Sequence, residues 1–177
     1  MLPRRTRHWA VTLQWMTWVT MLALVILIPY SLFDPDALVA QAHDSISKAP
    51  GDWTTGSSAI ALLIGASLLQ LAVTLLILWH MSRLFGCYAK GEALSLPAAR
   101  HIRGIGIWTL VRALMAVLHT PFVSLVLSID APTGQRSLSI AIDSHLVALS
   151  LVGGMMLMIG MVIAQAVAIA RENESFV

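Results

Sequence analysis

The residues with the clearest chemical potential form a polar stripe in the third of four apolar segments. Thr109, Arg112, Ala116 and His119 follow a 3-4-3 spacing, which places them on one face of a helix. Arg112 lies inside the apolar run, at a depth where an arginine costs about 2.5–3.5 kcal/mol on insertion scales. Such a stripe is typical of a site for an ion, a proton or an anionic ligand.

The same stripe also has a structural interpretation. In it, Arg112 binds helix carbonyls or a lipid headgroup, and His119 caps the kink expected at Pro121. Polar partners at a similar depth are Gln70 and Thr74, which share a face of the second apolar segment at i, i+4 spacing. Because no Asp or Glu lies within any apolar segment, a carboxylate relay for proton pumping is not expected.

The elements that must position these residues are apolar runs long enough to cross a bilayer. The chain has 177 residues, of which 58% are hydrophobic and only 11% are charged, whereas about 25% are charged in soluble domains. A helix of about 20 residues crosses the hydrocarbon layer, and four such runs occupy residues 11–30, 59–80, 105–127 and 145–170. The sequence therefore predicts an all-α polytopic membrane protein, a four-transmembrane-helix bundle forming a single domain over residues 1–177.

Charge placement predicts the orientation of the bundle. Eight Lys and Arg residues lie in the N-terminal segment, the 81–104 loop and the C-terminal tail, whereas two lie in the other connections. Positive residues mark the cytoplasmic side, so we expect an inner-membrane protein with both termini and the 81–104 loop cytoplasmic. The extracytoplasmic loop 31–58 should carry a short helix near residues 35–40 and a turn at Pro50-Gly51. The first run exceeds the 7–15 apolar residues of a signal peptide, so a retained helix is expected rather than cleavage.

Several function classes are disfavoured by what the chain contains. Cys87 is the single cysteine, which excludes an intrachain disulfide, and no known catalytic or phosphate-binding motif occurs. We therefore expect no enzyme, no metal and no cofactor. A net charge of +2 is too small to indicate direct nucleic-acid binding. A haem-binding redox protein is a remote alternative, since His80 and His101 lie near one predicted face and histidines on different helices can meet.

Small residues follow one side of the fourth run. Close approach of two helix backbones in lipid requires such residues. The predicted packing face comprises Gly153, Gly154, Gly160 and Ala164. It either closes the bundle, which is the favoured interpretation, or binds a second copy of the chain.

The middle loop and the tail resemble a known family. Residues 84–94, LFGCYAKGEAL, and residues 102–106, IRGIG, resemble the central signature of bacterial membrane proteins classed as domain-of-unknown-function 2975. In that family a Tyr-x-x-Gly-Glu turn and a basic stretch follow the second span. Residues 168–177, AIARENESFV, resemble the family's acidic ending. The resemblance implies a four-helix inner-membrane protein without an established biochemical activity. It also implies a possible partner, because some relatives are thought to accompany small helix-turn-helix regulators.

The loop and tail share the predicted cytoplasmic side, which suggests a contact between them. The acidic tail would dock on the basic loop, with Phe176 and Val177 packing on Phe85 or Tyr88; two independently solvated segments are the alternative. The residues of this predicted contact are Arg83, Tyr88, Lys90, Gly91, Glu92, Arg100 and Arg103 in the loop, and Glu172, Asn173 and Glu174 in the tail.

These patterns predict a small membrane scaffold or sensor. It would bind a partner at its cytoplasmic face, the candidate partners being membrane lipid, a cytoplasmic regulatory protein or a second copy of the chain. A small transporter or channel component, or a ligand-binding protein, built on the Arg112 and His119 stripe is the alternative.

Overall fold

Four long helices make up the fold. The structure, a computed structural model, describes residues 4–31, 34, 38–40, 56–127 and 144–174. The helices are α1 (Arg4–Ser31), α2 (Ser57–Ala89), α3 (Leu96–Leu127) and α4 (Ser144–Glu174). Within these ranges there is no strand, and all four helices are long and apolar enough to cross a membrane. The all-α, four-helix prediction is confirmed.

The helices extend beyond the apolar runs that predict them. The segment 81–104, expected to be a loop, is an α-helical hairpin in which only residues 90–95 are non-helical. Hydropathy marks only the part of a helix that meets hydrocarbon, whereas the helix itself ends where capping residues stop it, here at Gly91 and Ser95. The 33 residues of α2 span about 50 Å at 1.5 Å per residue, well beyond the hydrocarbon layer.

Two helices contain an internal proline. Pro29 lies in the last turn of α1, and Pro121 lies in α3, which continues for two further turns to Leu127. Pro121 therefore does not end the helix. Proline removes one backbone hydrogen bond, and in lipid the neighbouring helix surfaces allow a helix to continue past it.

Each helix packs mainly on the next one along the chain. The most extensive contact joins α3 to α4, followed by those joining α2 to α3 and α1 to α2. Close contacts define an antiparallel order. Gln14 near the start of α1 lies beside Gly86 near the end of α2, and Gly160 of α4 lies against Ala99 of α3. The beginning of α1, the 90–95 turn and the end of α4 therefore lie at one end of the bundle.

Two small apolar clusters stabilise the opposite ends of the α2–α3 pair. At the end away from the turn, Leu38 of the first connection packs with Ala59, Leu63, Val123 and neighbouring side chains. The backbone N–H of Leu38 donates to the carbonyl of Asp34, and residues 38–40, the described part of the short helix predicted near residues 35–40, are helical. The predicted turn at Pro50-Gly51 lies outside the described residues.

The second cluster lies at the turn end. Leu84, Ala98 and Ile102 are buried there, with Tyr88 and Met156 among the side chains that pack around them. The outward surface of the bundle is apolar instead of polar, with Trp15, Leu22 and Leu151 strongly exposed. A large apolar exterior around a small core is typical of a protein solvated by lipid.

Candidate functional site

The turn between α2 and α3 has a defined capping geometry. The N–H of Glu92 donates to the carbonyl of Cys87 (3.0 Å), and the N–H of Gly91 donates to that of Tyr88 (3.1 Å). This pair of bonds is a Schellman motif, which requires a left-handed residue just after the helix. Gly91 supplies it with φ of 84°. The Tyr-x-x-Gly-Glu pattern therefore encodes the end of α2.

The start of α3 is capped by its own side chain. The Ser95 hydroxyl accepts a hydrogen bond from the N–H of Ala98 (3.2 Å) and donates one to the carbonyl of Glu92 (2.8 Å). Pro97 lies in the first turn of α3. A backbone N–H at this position would have no hydrogen-bond partner within the helix, so proline is tolerated there. The hairpin is thus closed by a glycine on one side and a serine–proline pair on the other, which fixes how α2 and α3 approach each other.

A histidine pair joins the two helices of this hairpin. Nδ1 of His80 on α2 and Nδ1 of His101 on α3 are 3.2 Å apart, within hydrogen-bond distance. Both rings are half-buried. One Nδ1 donates and the other accepts, so the bond requires at least one neutral imidazole. No third His, Cys, Asp or Glu joins the pair in the described ranges to make a three-ligand metal cluster.

The pair is held by tight surroundings. A Cβ placed on Gly104 would lie 2.5 Å from atoms of the His80 ring, so only glycine fits there without moving the histidine. Trp79 meets both rings edge-on, with centroids 4.9 Å from His80 and 6.0 Å from His101. The guanidinium of Arg83 lies 5.5 Å from the centre of the Trp79 ring, a cation–π contact.

Exposed cations surround the hairpin end. Four of the predicted contact residues, Arg83, Lys90, Arg100 and Arg103, are exposed, and so is Glu92. Arg7 at the start of α1 and Arg171 near the end of α4 add two more exposed cations at the same end. Tyr88, by contrast, packs its ring into the apolar cluster under the turn. The hairpin end is therefore a basic surface with an apolar base.

The predicted acidic tail begins on a helical extension. Gly160 is level with Ala99 and Arg103 near the start of α3, so α4 runs about two turns past the hairpin before it ends at Glu174. Glu172 is exposed on this extension. The side chains of Asn173 and Glu174, and residues 175–177 with the predicted Phe176 and Val177 contacts, lie outside the described residues.

The predicted intramembrane stripe is divided between two environments. Thr109 is buried, with 6% of its surface exposed, and Arg112 and His119 are half-buried on α3. The Thr74 hydroxyl donates a hydrogen bond to the backbone carbonyl of Gln70 (2.9 Å), so this side chain has its partner within its own helix. Gln70 and His119 meet in one groove between α2 and α3, whereas neither Thr109 nor Arg112 lines that groove.

The predicted glycine face of α4 lies against α3. A Cβ on Gly160 would be 2.7 Å from the backbone N of Arg103, and one on Gly153 would be 3.0 Å from the Leu110 side chain. Gly154 has no atom within 4 Å of such a Cβ, and Ala164 is half-buried. Gly153 and Gly160 are therefore the members of this face that bring the two helices together.

These features define a class of protein and then a family. Four long apolar helices in antiparallel order make this a polytopic helical membrane protein. The chain belongs to the family described as protein of unknown function (DUF2975), whose sequence model matches residues 9–177. The predicted membership of this family is thereby confirmed. No curated protein and no solved structure matches the chain.

Two features of the site do not follow from sequence patterns alone. His80 and His101 are 21 residues apart on different helices, and their meeting depends on the register set by the turn. Gly104 and Gly106 provide close contacts on α3, to His80 and to the α4 backbone respectively. The sequence pattern that could have indicated them is Gly-x-Gly in the IRGIG segment. Two glycines on an apolar helix indicate that neighbouring helices or side chains approach it closely.

Proposed function

We propose that this protein is a membrane scaffold or sensor that binds an acidic protein partner through the hairpin end of the bundle. The observation that carries the proposal is the concentration of exposed cations there: Arg7, Arg83, Lys90, Arg100, Arg103 and Arg171 against exposed Glu92 and Glu172. Positive surfaces steer acidic partners and set their orientation. By the positive-inside rule this end is cytoplasmic, with both termini, in an inner membrane.

The hairpin geometry supports a role in recognition. Gly91 and Ser95 fix the turn, so Lys90 and Arg100 are presented from a rigid connection, which lowers the entropy lost on binding. The proposal assigns no enzymatic activity, because the chemistry gathered at this end is charge and hydrogen bonding. A small cytoplasmic regulator with an acidic surface is the partner class that fits.

The experiment compares charge-reversed and charge-preserving variants of the hairpin. The full chain, carrying a C-terminal tag, is solubilised from native membranes, and co-purifying proteins are quantified by mass spectrometry against a tag-only membrane control. Lys90→Glu with Arg100→Glu should reduce the enriched acidic partner at least tenfold. Lys90→Arg with Arg100→Lys should retain it within about twofold, because the charge is unchanged.

Salt dependence separates this proposal from tight apolar association. At about 1 M salt the Debye length falls to about 3 Å, so the partner captured by the wild-type chain should be released. Equal recovery of every enriched protein with the charge-reversed variant would contradict the proposal. So would the enrichment of no protein over the control.

A further inference from the structure

The histidine pair between α2 and α3 has the spacing of two ligands to one metal ion. Nδ1 of His80 and Nδ1 of His101 approach each other to 3.2 Å. Two imidazole nitrogens bound to one tetrahedral ion, each at about 2.0–2.1 Å, are about 3.3–3.4 Å apart. A small widening of the pair is therefore enough to place one ion between the two rings.

The residues around the pair hold both rings in this position. A Cβ on Gly104 would lie 2.5 Å from the His80 ring, so this ring lies directly against the backbone of α3. Trp79 contacts both rings edge-on, with centroids 4.9 Å from His80 and 6.0 Å from His101. Rings that are already fixed lose little freedom when an ion binds, and this pre-organisation favours binding.

The two nitrogens can bind an ion without the loss of a proton. When both rings are neutral, the ring that donates carries its proton on Nδ1 and the ring that accepts carries its proton on Nε2. If the donating ring takes the other tautomer, both Nδ1 atoms present lone pairs between the rings. The ion then replaces a single hydrogen bond.

The pair lies close to water at the hairpin end. His101 is five residues after Leu96, the first residue of α3, which is about 8 Å along the helix. Both rings are half-buried, and Arg100 beside His101 is exposed. An ion from the aqueous phase therefore has a short path to the two nitrogens.

The donor atoms select the class of ion. Imidazole suits Cu²⁺, Zn²⁺ and Ni²⁺, whereas Mg²⁺ and Ca²⁺ prefer oxygen ligands. Over the described ranges no group of three His, Cys, Asp or Glu residues could hold a metal. An ion at this pair thus has two protein ligands and completes its coordination with water.

We propose that His80 and His101 form a site for a divalent first-row transition-metal ion, Cu²⁺ or Zn²⁺, at the hairpin end of the bundle. The ion joins α2 to α3 through the two Nδ1 atoms. No metal site is expected from the sequence because the two ligands are 21 residues apart on different helices. The proposal is independent of the acidic partner, since neither Lys90 nor Arg100 binds the ion.

The test is electron paramagnetic resonance of Cu²⁺ added in less than one equivalent to the purified full chain in detergent, with an affinity tag that contains no histidine. The spectrum should show hyperfine splitting from two imidazole nitrogens. His80→Gln and His101→Gln should each lose this pattern and weaken Cu²⁺ binding at least tenfold. His145→Gln, at an exposed position on α4, should keep the pattern and bind Cu²⁺ within about twofold of the wild type.

A competition experiment checks the class of ion. Excess Zn²⁺ should displace the bound Cu²⁺, because imidazole binds both ions. The same excess of Mg²⁺ should not displace it, because Mg²⁺ requires oxygen ligands and gives up its water reluctantly.

A charge variant tests the sign of the bound ion. The exposed guanidinium of Arg83 lies 5.5 Å from the centre of the Trp79 ring, so it repels a cation at the pair weakly through water. Arg83→Gln should therefore tighten Cu²⁺ binding about two- to threefold. Lys90→Gln removes the same charge ten residues after His80, about 15 Å along the helix axis, and should leave the affinity unchanged.

Three results would overturn the proposal. The first is an unchanged spectrum and affinity in folded His80→Gln and His101→Gln, which would assign the Cu²⁺ to adventitious binding by other histidines. The second is wild-type binding no tighter than that of the variant carrying both substitutions. The third is weaker Cu²⁺ binding in Arg83→Gln. Melting curves identify any variant that does not fold, and the two ligand positions lie on different helices, so that one variant can replace the other.

Discussion

At the residue scale, the bond between His80 and His101 depends on protonation. The bond forms only while at least one of the two Nδ1 atoms is unprotonated and can accept the hydrogen bond. When both rings are protonated, the bond is replaced by repulsion between two cations. The guanidinium of Arg83, which lies 5.5 Å from the centre of the Trp79 ring that contacts both imidazoles, adds positive charge beside the pair. The stabilisation from this bond is therefore present at neutral pH and lost as the pH falls.

We expect the wild-type chain to melt at a lower temperature at pH 5 than at pH 7.5. One hydrogen bond contributes about 1 kcal/mol, which corresponds to a Tm shift of about 2–4 °C for a chain of this size. His101→Gln removes one titrating ring, so its Tm should depend less on pH. His145→Gln, at an exposed position on α4, should keep the wild-type dependence. Equal pH dependence in all three proteins would contradict the proposed pairing.

A second expectation at this scale concerns Gly104. In Gly104→Ala the new Cβ would lie 2.5 Å from His80 ring atoms, so the ring must move and lose its partner. Overpacking of this kind costs about 1–3 kcal/mol. Gly65→Ala, where the Cβ meets nothing, should instead stabilise the helix slightly. The two variants are compared by thermal unfolding in the same detergent, and equal Tm values would show that His80 is not held as described.

Individual residues were also the hardest part of the site to predict. Arg112 and His119 stand out in the sequence because charge and imidazole are rare inside an apolar run. Gln70 and His119 were expected at a similar depth, but the groove that joins them depends on which faces of α2 and α3 meet. The His80–His101 bond depends in the same way on helix register, which hydropathy does not specify.

At the element scale, the number of helices was predictable and their ends were not. Four apolar runs predict four helices, since each run is long enough to cross a bilayer. The helical segments 81–89 and 96–104 are less apolar and carry charges, so hydropathy assigns them to a loop. Capping residues mark the true ends, and Gly91 and Ser95 are those residues here.

The α3–α4 contact depends on glycine more strictly than any other contact between described helices. A Cβ on Gly106 would lie 2.5 Å from the backbone N of Leu157 and 2.8 Å from the carbonyl oxygen of Gly153. Backbone atoms cannot move aside as a side chain can, so the two helices must separate to accept any larger residue. This makes Gly106 a more sensitive position than Gly104.

We therefore expect Gly106→Ala to destabilise the chain by about 3 kcal/mol, the upper part of the overpacking range. The free energy of unfolding is measured by titration with SDS, with helix content followed by circular dichroism. Gly154→Ala is the matched control on α4, because its Cβ would meet no atom. A Gly106→Ala variant as stable as this control would show that α3 and α4 do not approach so closely.

At the scale of the whole molecule, the positive-inside rule predicts which end of the bundle meets the cytoplasm. Ala40 lies at the end of the bundle away from the hairpin, and Lys90 lies in the turn; both are exposed. In a Cys87→Ser background, Ala40→Cys should react with a membrane-impermeant maleimide in intact bacterial cells. Lys90→Cys should react only after the cells are permeabilised. The opposite pattern would invert the topology and remove the basis for a cytoplasmic partner.

The order of helix packing has a consequence for biogenesis. Since the extensive contacts join α1 to α2, α2 to α3 and α3 to α4, each helix finds its main neighbour among the segments translated immediately before it. Short separations along the chain favour rapid assembly. A nascent chain with this arrangement can bury each new interface as the ribosome delivers the next helix, so that no span waits in the lipid for a partner encoded far downstream.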